Sequence, residues 1–165
     1  MIAICEAKHK EDIYDIINDA ATAYEDVIPA DMYHSPYMPL DELEQEIGNG
    51  VEFWGYSDDD GQLLGVMGIQ DKGDVALIRH AYVRTNQRNG GIGGKLLGHL
   101  IGMTDKPILI GTWQAAEWAI RFYEKHGFRV TNFQEKEQLL RQYWTVSTRQ
   151  IDTSVVLCDE RWTRG

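Results

Sequence analysis

The sequence predicts an α/β domain built on a mixed sheet, with antiparallel strands first, a parallel central pair, and helices on both faces. Two observations predict it. From Val51 to Arg84, strand-like runs follow one another across short turns rich in Asp and Gly, which is an antiparallel arrangement. From Gly90 to Phe133 the order becomes helix, strand, helix, strand, which sets strands in parallel with helices packed on them. A chain of 165 residues has the length of one domain, taken as 1–165. It is long enough to bury a core without disulfides or a structural metal.

Met1 to Ala7 is apolar-rich and reads as a strand. Ile13, Ile16, Ile17, Ala20, Ala21 and Tyr24 recur at helical spacing and predict a helix from about Glu11 to Glu25. Residues Val27 to Pro39 hold three of the four prolines, with Tyr33, His34 and Tyr37, and read as an aromatic loop. A helix from Leu40 to Ile47 is stopped by Gly48 and Gly50. Val51–Tyr56 and Leu63–Ile69 flank Ser57-Asp58-Asp59-Asp60-Gly61 and predict a hairpin. That acidic turn lacks the twelve-residue calcium pattern and reads as a solvated loop. A further turn at Asp71–Asp74 leads into the run Val75–Arg84. A glycine cluster at 90–94 opens a helix carrying Ile92, Leu96, Leu97, Leu100 and Ile101. Then come the strand Ile108–Thr112, a helix with Trp118, Ala119, Phe122 and Tyr123 stopped by Gly127, and a strand Phe128–Phe133. Leu139, Leu140, Tyr143 and Trp144 predict one more amphipathic helix, and Thr153–Cys158 the last strand.

Sixteen basic against twenty-six acidic residues leave a formal net charge of −10. That balance argues against a nucleic-acid partner, which needs clustered Lys and Arg, and against an anionic membrane surface. Cys5 and Cys158 lie far apart and form no metal-knuckle or redox pair, so a reducing cytoplasm is the expected location. No apolar run reaches membrane-helix length or opens the chain as a signal peptide would. His9, His99 and His126 have no ligand spacing, so no metal site is expected.

The segment Gln87-Arg88-Asn89-Gly90-Gly91-Ile92-Gly93-Gly94-Lys95 carries chemistry. Its glycines allow tight turning and close approach of a ligand. The helix start behind it supplies free N–H groups and a positive dipole end, a combination suited to phosphate oxygens. The plain alternative is a glycine-rich turn without a ligand. The nucleoside-triphosphate loop does not fit, because Asn89 falls where its first glycine belongs and Leu96 replaces the hydroxyl that holds magnesium. The dinucleotide fingerprint fits poorly, because the loop follows the fourth strand and Leu96 stands where its third glycine belongs.

Arg88, Gly91 and Gly93 do fill the pattern Arg/Gln-x-x-Gly-x-Gly/Ala. With Ala81-Tyr82-Val83 just before it and the run Trp118–Phe128 after it, the sequence resembles the GNAT superfamily of acyl-CoA-dependent N-acyltransferases. The motif region spans roughly 63–133. The resemblance implies a GNAT-like fold, acetyl-CoA as cofactor and acetyl donor, and an amine as acceptor, either a small molecule or a protein amine. It implies that the backbone of Tyr82 and Val83 pairs with the pantetheine arm. Arg88, Asn89, Gly90, Gly91, Ile92, Gly93, Gly94 and Lys95 would cradle the pyrophosphate. Tyr123 would protonate the leaving thiolate, a role its phenol suits by acidity. Ala116 stands where the family often has a cofactor-touching Asn, and Gln114 is offered as its substitute.

The acceptor side is open in the sequence. A regular strand puts Leu77, Arg79 and Ala81 on one face and turns His80 to the other, unless a bulge redirects it. His80 is a candidate base by its chemistry. Its alternative is a buried strand histidine bonded to a carbonyl. Glu25 is a second candidate base, and Asp31 and Tyr24 are candidates for acceptor binding. Arg79 on a central strand needs a counter-charge. It either pairs with a carboxylate such as Glu25 or Asp31, or grips an acceptor carboxylate. Glycines at 94, 98 and 102 flatten one helix face for a strand or a partner helix, which leaves a homodimer open. Two functions remain: an N-acetyltransferase working by direct attack, and a non-catalytic acyl-CoA-binding module.

Overall fold

A computed structural model describes residues 1–163. Strand β1 (Ile2–Ile4) is followed by a 3₁₀ turn at Ala7–His9 and helix α1 (Lys10–Ala20). α1 buries Ile13, Ile16, Ile17 and Ala20, the stripe its spacing predicts. The helix is shorter than expected. At Ala21–Tyr24 it tightens to 3₁₀, where Thr22 Oγ1 bonds the Asp19 carbonyl at 2.7 Å. The chain then turns at Asp26, with φ +64°. Helix α2 (Leu40–Gly48) buries Leu43 and ends before Gly50, which sits at φ +101°.

Strand β2 (Glu52–Ser57) pairs antiparallel with β1, Ile4 opposite Trp54. It also pairs antiparallel with β3 (Leu63–Asp71), Phe53 opposite Gly68 and Trp54 opposite Met67. The turn between them is held by Asp58, whose Oδ1 accepts from Asp60 N and Gln62 N. After β4 (Ala76–Val83) come helix α3 (Ile92–Ile101), β5 (Ile108–Trp113), helix α4 (Glu117–Lys125) and β6 (Arg129–Val130). Helices α5 (Phe133–Tyr143) and α6 (Thr148–Thr153) and strand β7 (Ser154–Cys158) complete the described chain. The strands form a seven-stranded mixed sheet in the order β1-β2-β3-β4-β5-β7-β6, with β4 and β5 parallel.

The chain divides into two units. The first comprises Met1–Asp71 and Ile78–Thr104. Both faces of its sheet are covered. On one, Ile13, Ile16 and Ile17 of α1 and Leu43 of α2 pack with Val51, Phe53 and Val66. On the other lies α3: His99 meets the Trp54 ring at 4.8 Å, and Lys95 Nζ sits 5.5 Å over Tyr56. Two-residue alternation along β2 explains why Phe53 and Trp54 serve opposite faces.

The second unit comprises Lys72–Leu77 and the chain from Asp105 on. Here β7 pairs antiparallel with both β5 and β6. Val75, Leu77, Leu109 and Val156 pack against Leu139, Leu140 and Tyr143 of α5 and Ile151 of α6. The expected strand Phe128–Phe133 shrinks to Arg129–Val130. Asn132 caps α5 instead, its side chain accepting from Glu135 N at 2.8 Å, so Phe133 opens a helix. Helix α6 was not expected. Its start is a capping box in which Ser147 and Gln150 bond each other's backbone N–H.

Candidate functional site

The glycine segment is fastened before it opens. Beyond β4, a 3₁₀ turn at Thr85–Gln87 is tied to the end of α1: Asp19 accepts from Thr85 N at 2.8 Å and Thr85 Oγ1 at 3.2 Å. Arg88 Nη2 donates to the Ala20 carbonyl at 3.2 Å, where a cation suits the negative end of the helix. Asn89 and Gly91 then take positive φ, +68° and +79°. Gly91 is the N-cap of α3, and no side chain caps that helix. The first turn of α3 therefore presents backbone N–H groups without a side-chain acceptor. Such a turn, entered through two left-handed residues, can hold phosphate oxygens. Ile92, buried at 6% exposure, anchors the helix start to the sheet.

Upstream, β4 departs from regular geometry. His80 has φ +57°, a conformation rare for a residue with a side chain. Arg79 and His80 consequently do not point to opposite faces. Arg79 Nη2 is 3.2 Å from Glu46 Oε1 on α2, and His80 Nε2 is 3.3 Å from the same oxygen. The His80 contact is of ion-pair length but is not aligned as a hydrogen bond. Arg79 Nη1 reaches Gln70 Oε1 at 3.2 Å. The counter-charge of Arg79 is thus Glu46, where the sequence offered Glu25 or Asp31. Strand β3 admits this close passage because it has glycine at position 68: a Cβ there would come within 2.9 Å of the Arg79 carbonyl. Glu46 was missed at the sequence level. A signal existed, because it lies three residues after buried Leu43 and so on the inward side of α2.

The loop after α1 contributes aromatic rings. Tyr24 meets Tyr82 of β4 edge-on at 6.4 Å and Tyr37 at 5.3 Å. Glu25 and Asp31 of the same segment are exposed.

In the second unit, Gln114 N donates to the Thr153 carbonyl at 2.8 Å just past β5. Gln114 itself is exposed, and Ala116, at the start of α4, is fully buried. Tyr123 is 7% exposed, with Phe122 at 5.2 Å and Phe128 at 6.0 Å from its ring. Gly127, at φ +92°, turns the chain at the end of α4. Among the described residues, no group of three or more His, Cys, Asp or Glu side chains could hold a metal ion. None of the described helices is long and apolar enough to cross a membrane.

Residues 49–130 match the family described as acetyltransferase (GNAT) domain. No curated protein sequence matches the chain. Solved structures do. A GNAT-family acetyltransferase from Staphylococcus aureus MU50 is 20% identical, with a TM-score of 0.71 over 96% of this chain and 97% of that one. The ribosomal-protein-S18-alanine N-acetyltransferase from Escherichia coli is 16% identical, with a TM-score of 0.69 over 100% and 96%. The PaiA N-acetyltransferase from Thermoplasma acidophilum, solved with coenzyme A, is 15% identical, with a TM-score of 0.67 over 96% and 98%. At these identities the likeness is one of fold.

Proposed function

The chain belongs to the GNAT superfamily, and from that premise we propose that it moves an acetyl group from acetyl-CoA to a primary amine by direct attack, with no covalent enzyme intermediate. Membership makes it an acyltransferase; the acetyl donor, the amine and the direct route are our reading. The observation that carries it is the segment from Arg88 to Lys95, with two left-handed residues leading into an uncapped helix start. That arrangement fits a pyrophosphate.

In this reading Arg88, Asn89, Gly90, Gly91, Ile92, Gly93, Gly94 and Lys95 hold the pyrophosphate of the donor. The backbone of Tyr82 and Val83 aligns its pantetheine arm, with Gln114 as a further donor contact; Ala116, also expected to touch the donor, has no exposed surface and is set aside. His80 accepts a proton from the acceptor, and Glu25 is a second group able to do so. Tyr24 and Asp31 line the acceptor side. Tyr123 donates its phenolic proton to the thiolate as the C–S bond breaks. Arg79, with Nη1 bonded to Gln70 and Nη2 to Glu46, is read as an orienting group in preference to one that grips an acceptor carboxylate. A cytoplasmic location, expected from two cysteines far apart in the sequence, belongs to the same proposal.

Thiol release from acetyl-CoA, measured with a panel of primary amines, tests the proposal. Release that depends on an amine and yields the acetylated amine is the expected result. Binding of acetyl-CoA without amine-dependent release would make the protein a binding module instead.

A further inference from the structure

Glu46 stands at the centre of a small charged cluster. Its side chain and that of His80 are each 15% exposed. One oxygen, Oε1, lies 3.2 Å from Arg79 Nη2 and 3.3 Å from His80 Nε2. Arg79 and His80 are consecutive on β4, and the φ of +57° at His80 is what brings both to one carboxylate. The imidazole stacks against Phe53, 6.0 Å between centroids at 25°. Its Nε2 is buried, with no hydrogen-bond partner among the described residues. Arg79 is held from its other side by Gln70, which itself donates to the Asn49 carbonyl just past α2. A histidine in a left-handed conformation within a strand is strained, and such strain persists where the surroundings impose it.

A guanidinium and an imidazolium on adjacent residues repel one another. The carboxylate oxygen Oε1 of Glu46 is the negative charge that faces both side chains. In the tautomer that carries its proton on Nε2, the ring nitrogen 3.3 Å from Glu46 Oε1, the lone pair of the neutral ring sits on Nδ1. We infer that Glu46 is the positioning residue for His80 in acetyl transfer, fixing its ring and offsetting its charge while Nδ1 takes a proton from the acceptor ammonium. The inference rests on the acetyltransferase reading above. The ammonium gives one proton to Nδ1, and the freed nitrogen lone pair forms the C–N bond. The thioester C–S bond breaks with its electron pair on sulfur. The thiolate takes the phenolic proton of Tyr123. The second proton lost from nitrogen restores the phenol, and the proton on His80 passes to water.

The test compares two acceptors in the full-length protein. One is an alkylamine with an ammonium pKa near lysine's ~10.4. The other is an aromatic amine already neutral at the assay pH, which has no proton to surrender before attack. Glu46→Gln should lower kcat at least ~10-fold with the alkylamine. With the aromatic amine kcat should change little, and KM for acetyl-CoA should hold. His80→Gln should show the same selectivity. The double variant should lose no more than His80→Gln alone, since both residues serve one proton transfer. Glu46→Asp keeps the charge and should recover part of the alkylamine rate. If Glu46→Gln does not fold, Glu46→Asp carries the test, its smaller loss again confined to the alkylamine. Equal losses with both acceptors, or losses that multiply in the double variant, overturn the inference and leave acetyl transfer standing. A wild-type protein that releases no thiol with either amine overturns the acetyltransferase reading itself.

Discussion

Tyr123 projects from α4 with its side chain nearly buried and its ring beside Phe122 and Phe128. Removing the hydroxyl alone separates proton donation from packing. Tyr123→Phe should lower turnover by ~10²–10⁴-fold with little change in acetyl-CoA affinity. Loss of stability in step with activity would assign the ring to the core only. Cys5 presents a different acid–base case. Burial, with a smaller push from the Asp12 carboxylate, raises its thiol from 9.0 to about 11. The folded chain thus holds this proton more tightly than the unfolded chain. The resulting stability is full below pH 9 and is lost as pH rises toward 11. The stability difference between the wild-type protein and Cys5→Ala should therefore shrink across that window in denaturant titrations. An unchanged difference would mean that the thiol is not desolvated.

Among the elements, the segment between β4 and α3 combines two demands. Its entry is clamped to α1 through Asp19 and Ala20, and its exit is an uncapped helix start at Gly91. At Gly91 nothing lies within 4 Å of where a Cβ would be, so a side chain there is opposed by the φ of +79° and not by crowding. Gly93 is different: it lies inside the first turn of α3, where ordinary residues fold readily. In the proposed reading, a bare backbone there lets the donor's phosphates approach closely. Gly93→Val should therefore abolish acetyl-CoA binding in calorimetry while the thermal unfolding profile stays close to the wild type's. A folded variant that binds normally would remove the segment from the donor site. The glycines at 94, 98 and 102 carry less. A Cβ on Gly98 would meet open space, and Gly102 caps the end of α3.

For the whole molecule, the dominant long-range property is charge. A net charge of −10 with a pI near 4.9 keeps like-charged molecules apart at neutral pH. As acid removes that charge, colloidal stability falls. Light scattering should show association rising as pH approaches 4.9 and reversing on return to neutrality. Association that ignores pH would point to a specific apolar contact between copies.

Helical and strand periodicity, turn chemistry and the Arg88–Gly91–Gly93 spacing are local properties, and with them the sequence by itself determined the fold class, the element order apart from α6, and the segment read as phosphate-binding. Element ends were less legible where capping competes with propensity. Asn132 turned the end of an expected strand into α5, and the Ser147–Gln150 box nucleated a helix whose sequence signal was present but short. The acceptor side was legible only in part. His80 and Arg79 were visible as unusual strand residues, but their shared partner, Glu46, is 33 residues from Arg79. Pairing of that kind depends on how α2 lies on the sheet and on one left-handed residue in β4. Side-chain alternation, the rule that reads strands, predicts the opposite arrangement. Only the tertiary structure decided it, because a backbone conformation disfavoured locally is held there by contacts between distant segments of the chain.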